Sequence, residues 1–294
     1  MKTLTKQITA KDWDLLPSES DIAFYEEHGW YISKKIIPDA IIDMAIAGSK
    51  KFYRGERDGT LPVKTGYSNW QPEDGNIVRN NEFVSLQKNE LAQLALQPII
   101  GAIAAKLART DEIRLLDDQL VYKPPKSKKS TVGWHCDQAY WSTCSSQKLL
   151  TAWIPFHDID ESRGPLVVID RSHKWAGLEN MRFFNDPNLD NLANQLPTTK
   201  KEIVKVPMVM KKGQVSFHNC WTIHGSYPNR SDKYRLALAA HLQDGDNHYR
   251  PFTNKQGREI HIFDEQICRK LPNGDPDFSD PAVFPVLWSK NIDR

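Results

Sequence analysis

The chain has 294 residues, 39% hydrophobic and 10% aromatic, which is the composition of a folded protein and argues against disorder. Its 39 basic and 37 acidic side chains leave a formal charge of +2, so nothing in the balance calls for a nucleic-acid or anionic-membrane partner. No apolar run approaches the roughly 18 residues of a membrane helix. The first residues lack the apolar core of a secretory signal, and the four cysteines (Cys136, Cys144, Cys220, Cys268) form no CxxC pair, which points to a reduced, cytoplasmic protein.

The first third reads as helical. Ser20-Asp21 can cap a short helix carrying Ile22, Phe24 and Tyr25 that stops at His28-Gly29. Pro38 suits a first helical position, with Ala40, Ile41, Met44 and Ala45 following at helical spacing to about Phe52. Asn89 opens another apolar stretch through Leu107, and Pro98 predicts a break in it. Beyond residue 112, β-branched and aromatic runs alternate with Gly, Pro, Asn and Asp clusters. They predict strands near Ile113–Lys123, Leu149–His157, Leu166–Ile169, Ile203–Met210, Gln214–Phe217 and Tyr234–Leu242. Many short strands after a helical preface predict a mainly β fold, a sandwich or barrel with flanking helices. The polar, turn-rich stretch 174–201 is long for a compact domain and reads as a lid. The proline-rich tail after Leu242 reads as loop. No linker separates two domains, so residues 1–294 read as one domain with a helical N-terminal region, residues 1–111, and a lid-like insertion, residues 174–201.

The chemistry is concentrated in Gly133-Trp134-His135-Cys136-Asp137-Gln138. On a strand, His135 and Asp137 point to one face, aiming an imidazole and a carboxylate at one place. His224, 87 positions after Asp137, could complete a set of two histidines and one carboxylate. Such a set on one face of a metal leaves open positions and is the facial triad of non-haem Fe(II) oxygenases. Arg235 follows His224 by eleven positions at the start of a strand. A guanidinium there can hold the far carboxylate of a dicarboxylic acid, and Ser226, two residues after His224, can add a hydroxyl.

These motifs, with Ser162-Arg163-Gly164-Pro165-Leu166 and His224-Gly225-Ser226-Tyr227-Pro228-Asn229-Arg230-Ser231, resemble the phytanoyl-CoA dioxygenase family of Fe(II)/2-oxoglutarate oxygenases. The resemblance runs from about Glu19 to Gln243. It implies a double-stranded β-helix (jelly-roll) core, with His135, Asp137 and His224 as iron ligands and Arg235 with Ser226 anchoring 2-oxoglutarate. Gln119, Trp153 and Arg79 match positions that touch or wall the co-substrate in the family. Each also has a plain structural reading, as a strand polar residue, core and a surface residue respectively. The implied cofactors are Fe(II), 2-oxoglutarate and O₂. The implied reaction oxidises a C–H of a small molecule, with release of succinate and CO₂. Halogenating members of the family carry Gly or Ala where Asp137 stands, so the resemblance favours hydroxylation or a related oxidation over halogenation. Desaturation, epoxidation, cyclisation and epimerisation share the same iron site. A non-catalytic jelly-roll binding protein is the alternative class, and the complete HxD…H…R set argues against it.

His218, at the end of a strand, rivals His224 as the distal ligand; the resemblance, which places the ligand before Gly-Ser, selects His224. His241 reads equally as a core residue or one near the substrate. Lys123, Lys126, Lys128 and Lys129 form a small basic run that reads as a solvated loop. The aromatic content near the motif favours a specialised metabolite as substrate. The oligomeric state has no signature in the sequence.

Overall fold

The computed structural model describes residues 8–61, 63, 70, 72–196 and 202–290. The helical preface holds α1 (Glu19–His28), α2 (Asp39–Tyr53), α3 (Val84–Gln87), α4 (Asn89–Ala95) and α5 (Pro98–Leu107). The cap of α1 is Ser18 rather than Ser20: its hydroxyl accepts from the Asp21 amide, while the Asp21 carboxylate accepts from the Ser18 amide. Gly29, at φ 80°, ends the helix in the left-handed conformation that glycine adopts without a Cβ clash. Pro98 does break the third apolar stretch, and it does so by starting α5 at its first position.

The preface is not purely helical. It contains β1 (Trp30–Ile32) and β2 (Arg79–Glu82), both of which join the large sheet. The remaining strands are β3 (Glu112–Lys123), β4 (Val132–His135), β5 (Leu150–Pro155), β6 (Val167–Ile169), β7 (Lys205–Pro207), β8 (Ser216–Asn219), β9 (His224–Ser226), β10 (Arg235–Asp244), β11 (Phe252–Thr253), β12 (Glu259–Ile260) and β13 (Val286–Ser289). Two short helices, α6 (Leu192–Gln195) and α7 (Asp264–Ile267), complete the α-helices of the described residues, and short 3-10 turns lie between the elements. The tail is thus more than loop, since β13 pairs with β3.

The strands form an antiparallel seven-stranded sheet, β1-β8-β5-β10-β3-β13 with β2 on β3, and a four-stranded one, β4-β9-β6-β7. This is the mainly β fold with flanking helices that the strand pattern predicts, in the two-sheet jelly-roll form that the resemblance implies; the sheets do not close into a barrel. Strand alternation divides the large sheet into two faces. Leu236, Leu238, Ala240 and Leu242 of β10 pack with Ile99, Ile100 and Ile103 of α5 in the outer core. Ala237 and Ala239 face inward with Trp153 against Val168, Met208 and Met210. Because β10 is buried on both faces, it reads as a nearly continuous apolar run. Among the described residues, no helix is long and apolar enough to cross a membrane.

Residues 174–196 of the expected lid form a packed wall, and 197–201 lie outside the described residues. Leu178, Met181, Leu189 and Leu192 are buried with Trp134 and Cys136. Gly133 N–H donates to Phe184 O at 2.8 Å and Phe183 N–H to Trp134 O at 3.2 Å, which fastens the segment to β4. Gly133 permits this approach, because a Cβ there would run into the Phe183 and Asp186 carbonyl oxygens. Those atoms are backbone and cannot swing aside. Gly133→Ala is therefore expected to destabilise the protein by at least about 2 kcal/mol in urea denaturation. An unchanged midpoint would contradict the packing described.

Candidate metal centre

The two histidines and Asp137 are brought together by strand pairing. His135 ends β4 and pairs across the ladder with His224, the first residue of β9. Asp137 is not on the strand as expected; it opens a 3-10 turn, Asp137–Ala139. The intervening Cys136 keeps extended backbone (φ −122°, ψ 142°), so the two-residue alternation still delivers both side chains to one side. The Nε2 atoms of His135 and His224 lie 3.8 and 3.4 Å from Asp137 Oδ1. All three residues are buried, and one ligand atom from each lies within 4.8 Å of the others, the spacing of a group that can hold a metal ion.

The surroundings fix how each ligand atom points. His135 Nδ1–H donates to Gly133 O at 2.9 Å and His224 Nδ1–H to Thr222 O at 3.0 Å. A neutral imidazole that donates through Nδ1 keeps its lone pair on Nε2, which faces the cluster. Burial holds both histidines below their ordinary pKa, and for His224 the neighbouring His135 adds to that, which favours the neutral imidazole that a metal takes as ligand. Asp137 divides its two oxygens. Oδ2 accepts from Thr151 Oγ1 at 2.6 Å and from His218 Nε2 at 3.3 Å. Thr151 has only one proton and spends it there, so His241 Nδ1–H must donate to Thr151 at 2.8 Å. Burial alone would raise the Asp137 pKa, but the surrounding histidines outweigh it and hold the carboxyl well below the usual carboxylate range. Oδ1 is left to face the two Nε2 atoms. Two imidazoles and a carboxylate oxygen, all deprotonated at the facing atom, fit a divalent iron.

His218 thus belongs to the centre as an outer hydrogen-bond donor, its ring 4.3 Å from that of His224. Thr151 was not foreseen. Its signal lies in the ladder, where Thr151 pairs with His218 on one side and His241 on the other.

A second cluster lies at the end of β10. Arg235 is 2% exposed; its Nη2 lies 3.4 Å from Ser226 Oγ, its Nε donates to Gly164 O at 3.2 Å, and its buried Nη1 has no hydrogen-bond partner. Lys123, read as part of a solvated run, is instead 0% exposed. It faces inward because it pairs with Arg235 in the β3–β10 ladder. Its Nζ sits 2.6 Å from Ser226 Oγ and donates to Tyr227 O at 2.8 Å. Burial pulls Arg235 down to about 9 and Lys123 well below its ordinary value, the latter also opposed by the Arg235 charge. Among the described residues, neither forms an ion pair with a carboxylate. Two desolvated bases without a counter-ion create a strong preference for an anion.

The other sequence candidates fall in different places. Trp153 is buried, its ring 5.5 Å from the Arg235 guanidinium. Gln119 lines a cavity shared with His135 and Asp137 and donates to Glu82 Oε1 at 3.4 Å. Arg79 is not brought to the centre. It pairs with Tyr122, the outward neighbour of Lys123, and its guanidinium lies over the rings of Trp70, Tyr122 and Tyr53 at 3.8, 4.5 and 5.0 Å. That aromatic cage holds it on the helix side of the sheet.

The chain is similar to proteins of known chemistry. The family model for phytanoyl-CoA dioxygenase (PhyH) matches residues 45–237. Peroxisomal phytanoyl-CoA dioxygenase of Bos taurus is 27% identical over 247 residues, 77% of this chain and 68% of that protein. A probable alpha-ketoglutarate-dependent hypophosphite dioxygenase of Stutzerimonas stutzeri is 29% identical over 133 residues, 44% of each chain. Among solved structures, the alpha-ketoglutarate-dependent carbocyclase SnoK of nogalamycin biosynthesis superposes with a TM-score of 0.68 at 23% identity, covering 92% of this chain and 96% of that one. EctD from S. alaskensis, solved with 2-oxoglutarate and 5-hydroxyectoine, gives 0.63 at 18% identity, covering 87% and 86%. These likenesses bear out the fold. With the family model spanning most of the sequence, the chain belongs to the phytanoyl-CoA dioxygenase family and is an Fe(II)- and 2-oxoglutarate-dependent oxygenase.

Proposed function

We propose that the protein hydroxylates a C–H bond of a small molecule, and that His135, Asp137 and His224 hold the iron while Arg235 and Ser226 hold 2-oxoglutarate. The observation that carries this reading is the pairing of the two clusters on β9. His224 and Ser226 stand two residues apart on one strand, so a metal-binding group and an anion-binding group share a face. Arg235 Nη1, buried and without a partner, would take the distal carboxylate, and Trp153 would wall it. Bound iron with 2-oxoglutarate supplies the oxidising power, consuming O₂ and releasing succinate and CO₂.

The chain's own residues do the positioning. Thr151 and His218 hold Asp137 Oδ2 and leave Oδ1 for the metal. The Gly133 and Thr222 carbonyls hold both Nε2 atoms inward. Asp137 fills the position that would have to be a small residue to admit a halide, which favours hydroxylation or a related oxidation over halogenation. The cavity beside the centre is about 180 Å³. That space suits a compact substrate or one end of a larger one. The whole chain would act as one catalytic unit, with the 174–196 segment as a wall of the site through Arg182 and Phe184. Its four free, buried cysteines suit a cytoplasmic setting, and a specialised metabolite fits the aromatic residues Tyr140 and Trp141 at the cavity.

Three outcomes follow. His135→Ala is expected to abolish iron-dependent succinate formation; turnover at the wild-type rate would remove the ligand assignment. Arg235→Ala should raise the KM for 2-oxoglutarate at least about tenfold, since it strips a buried charge from its partner; an unchanged KM would end its anchoring role. Thr151→Val should weaken Fe(II) affinity about 10–100-fold by freeing Asp137 to rotate, and unaltered affinity in an anaerobic titration would show that Thr151 does not position it. Product mass separates hydroxylation, which adds one oxygen, from cyclisation or epimerisation.

A further inference from the structure

The inward face of β3 carries Asp117, Gln119, Val121 and Lys123 at alternate positions, paired across β10 with His241, Ala239, Ala237 and Arg235. One end of this strip is basic and the other acidic. Six residues of strand separate Lys123 from Asp117, about 20 Å. At the acidic end, Glu82 from β2 and Asp264 from α7 join Asp117 in lining the cavity that also reaches His135 and Asp137.

The acidic end has acceptors without donors. Asp117 Oδ1 and Asp264 Oδ1 are buried and have no hydrogen-bond partner. Asn80, in the same lining but carrying no charge, independently shows the same deficit at its buried Oδ1. These side chains are 7%, 5% and 5% exposed. Buried acceptors of this kind carry a cost that a ligand's N–H groups would remove. The basic side chains that share the cavity are engaged elsewhere or reach toward solvent. His241 Nδ1–H donates to Thr151, and His261 pairs with Glu265 at 2.8 Å. Arg182 is solvent-exposed, its guanidinium 5.4 Å from the Tyr140 ring centre. Burial raises the pKa of Glu82 and Asp264 to about 7, and raises Asp117 well above its usual range with the Glu82 charge adding to it. These raised values favour protonated carboxyls while the site is empty, and a bound cation would displace the protons and leave the carboxylates paired. The group whose ligand atoms converge to within 4.8 Å among the described residues is His135, Asp137 and His224, and the three carboxylates do not join such a group. They border a space wider than a metal's first shell.

We propose that the substrate presents a cationic nitrogen group, an ammonium, amidinium or guanidinium, to Asp117, Asp264 and Asn80, with Glu82 adding negative charge. This deepens the oxygenase reading and rests on it for the statement that the cation's owner is the substrate. The two ends of the strip would then sort their ligands by charge, with the co-substrate's carboxylate at Lys123 and Arg235 and the substrate's cation at Asp117 and Asp264. An anionic headgroup is repelled from the acidic end.

The test is calorimetric binding to wild-type protein loaded anaerobically with Fe(II) and 2-oxoglutarate. The probes are n-butylamine, n-butylguanidine, n-butanol, butyrate and calcium chloride. The two cationic probes are expected to bind at least tenfold more tightly than n-butanol, with butyrate weaker still. Asp117→Asn with Asp264→Asn should reduce that preference to less than threefold. The proposal is overturned if n-butanol matches the amine, if no cationic probe binds, if calcium binds at the cluster while the amines show no preference, or if the preference survives the double substitution. Should the double variant not fold, Asp264→Asn alone and the wild-type ranking decide. The visible band of the iron–2-oxoglutarate chelate is read in the same samples. Its absence with the cation preference intact defeats the iron reading alone; its presence without the preference defeats this proposal alone.

Discussion

Asp137 carries a buried negative charge into the space between two β-sheets, and its two oxygens meet different surroundings. Oδ2 takes hydrogen bonds from Thr151 and His218, both on the large sheet. Oδ1 faces the Nε2 atoms of His135 and His224, both on the small one. The carboxylate therefore joins the sheets through the atoms that define the centre. Left without these partners it would be neutralised or expelled, because an isolated carboxylate is costly in a low-dielectric interior. The rest of the centre depends on this division, since it leaves one carboxylate oxygen and two imidazole nitrogens facing a common point.

The same economy extends along the strip between β3 and β10. Arg235 and Lys123 are paired across the ladder and fully buried, with Ser226 between them. Two like charges side by side in a dry setting oppose each other, so an anion is favoured there by both. Toward the other end, Asp117 stands in the row of Thr151 and His241. The polarity of the cavity is thus a consequence of strand alternation acting on a few charged positions. The outer face of β10 from Leu236 to Leu242, packed on α5, is apolar.

Much of this was legible in the sequence. The joining of the two halves and of Arg235 into one site comes from the family resemblance, while the pairings of His135 with Asp137 and of His224 with Ser226 are legible because two-residue spacing on strands fixes which side chains share a face. The helix and strand pattern was legible for the same reason, including the break at Pro98. What escaped was set by pairing between distant strands. β1 and β2 are three and four residues long and sit among helices, so only their partners β8 and β3 identify them. Lys123 reads as loop in a run of lysines, yet its register opposite Arg235 buries it. Thr151 and His218 acquire a role from being ladder partners. Arg79 shows the converse. Its place in the sequence is similar to that of a co-substrate contact, while its pairing with Tyr122 turns it to the helix side.

The most direct measurement is an anomalous difference map at the iron edge from crystals of the Fe(II)-loaded protein grown without oxygen. It should show one peak in the first coordination shell of His135 Nε2, His224 Nε2 and Asp137 Oδ1, with Asp137 Oδ2 still accepting from Thr151. A peak coordinated instead by His218, or no peak among these side chains at full iron loading, would contradict the assignment of the centre.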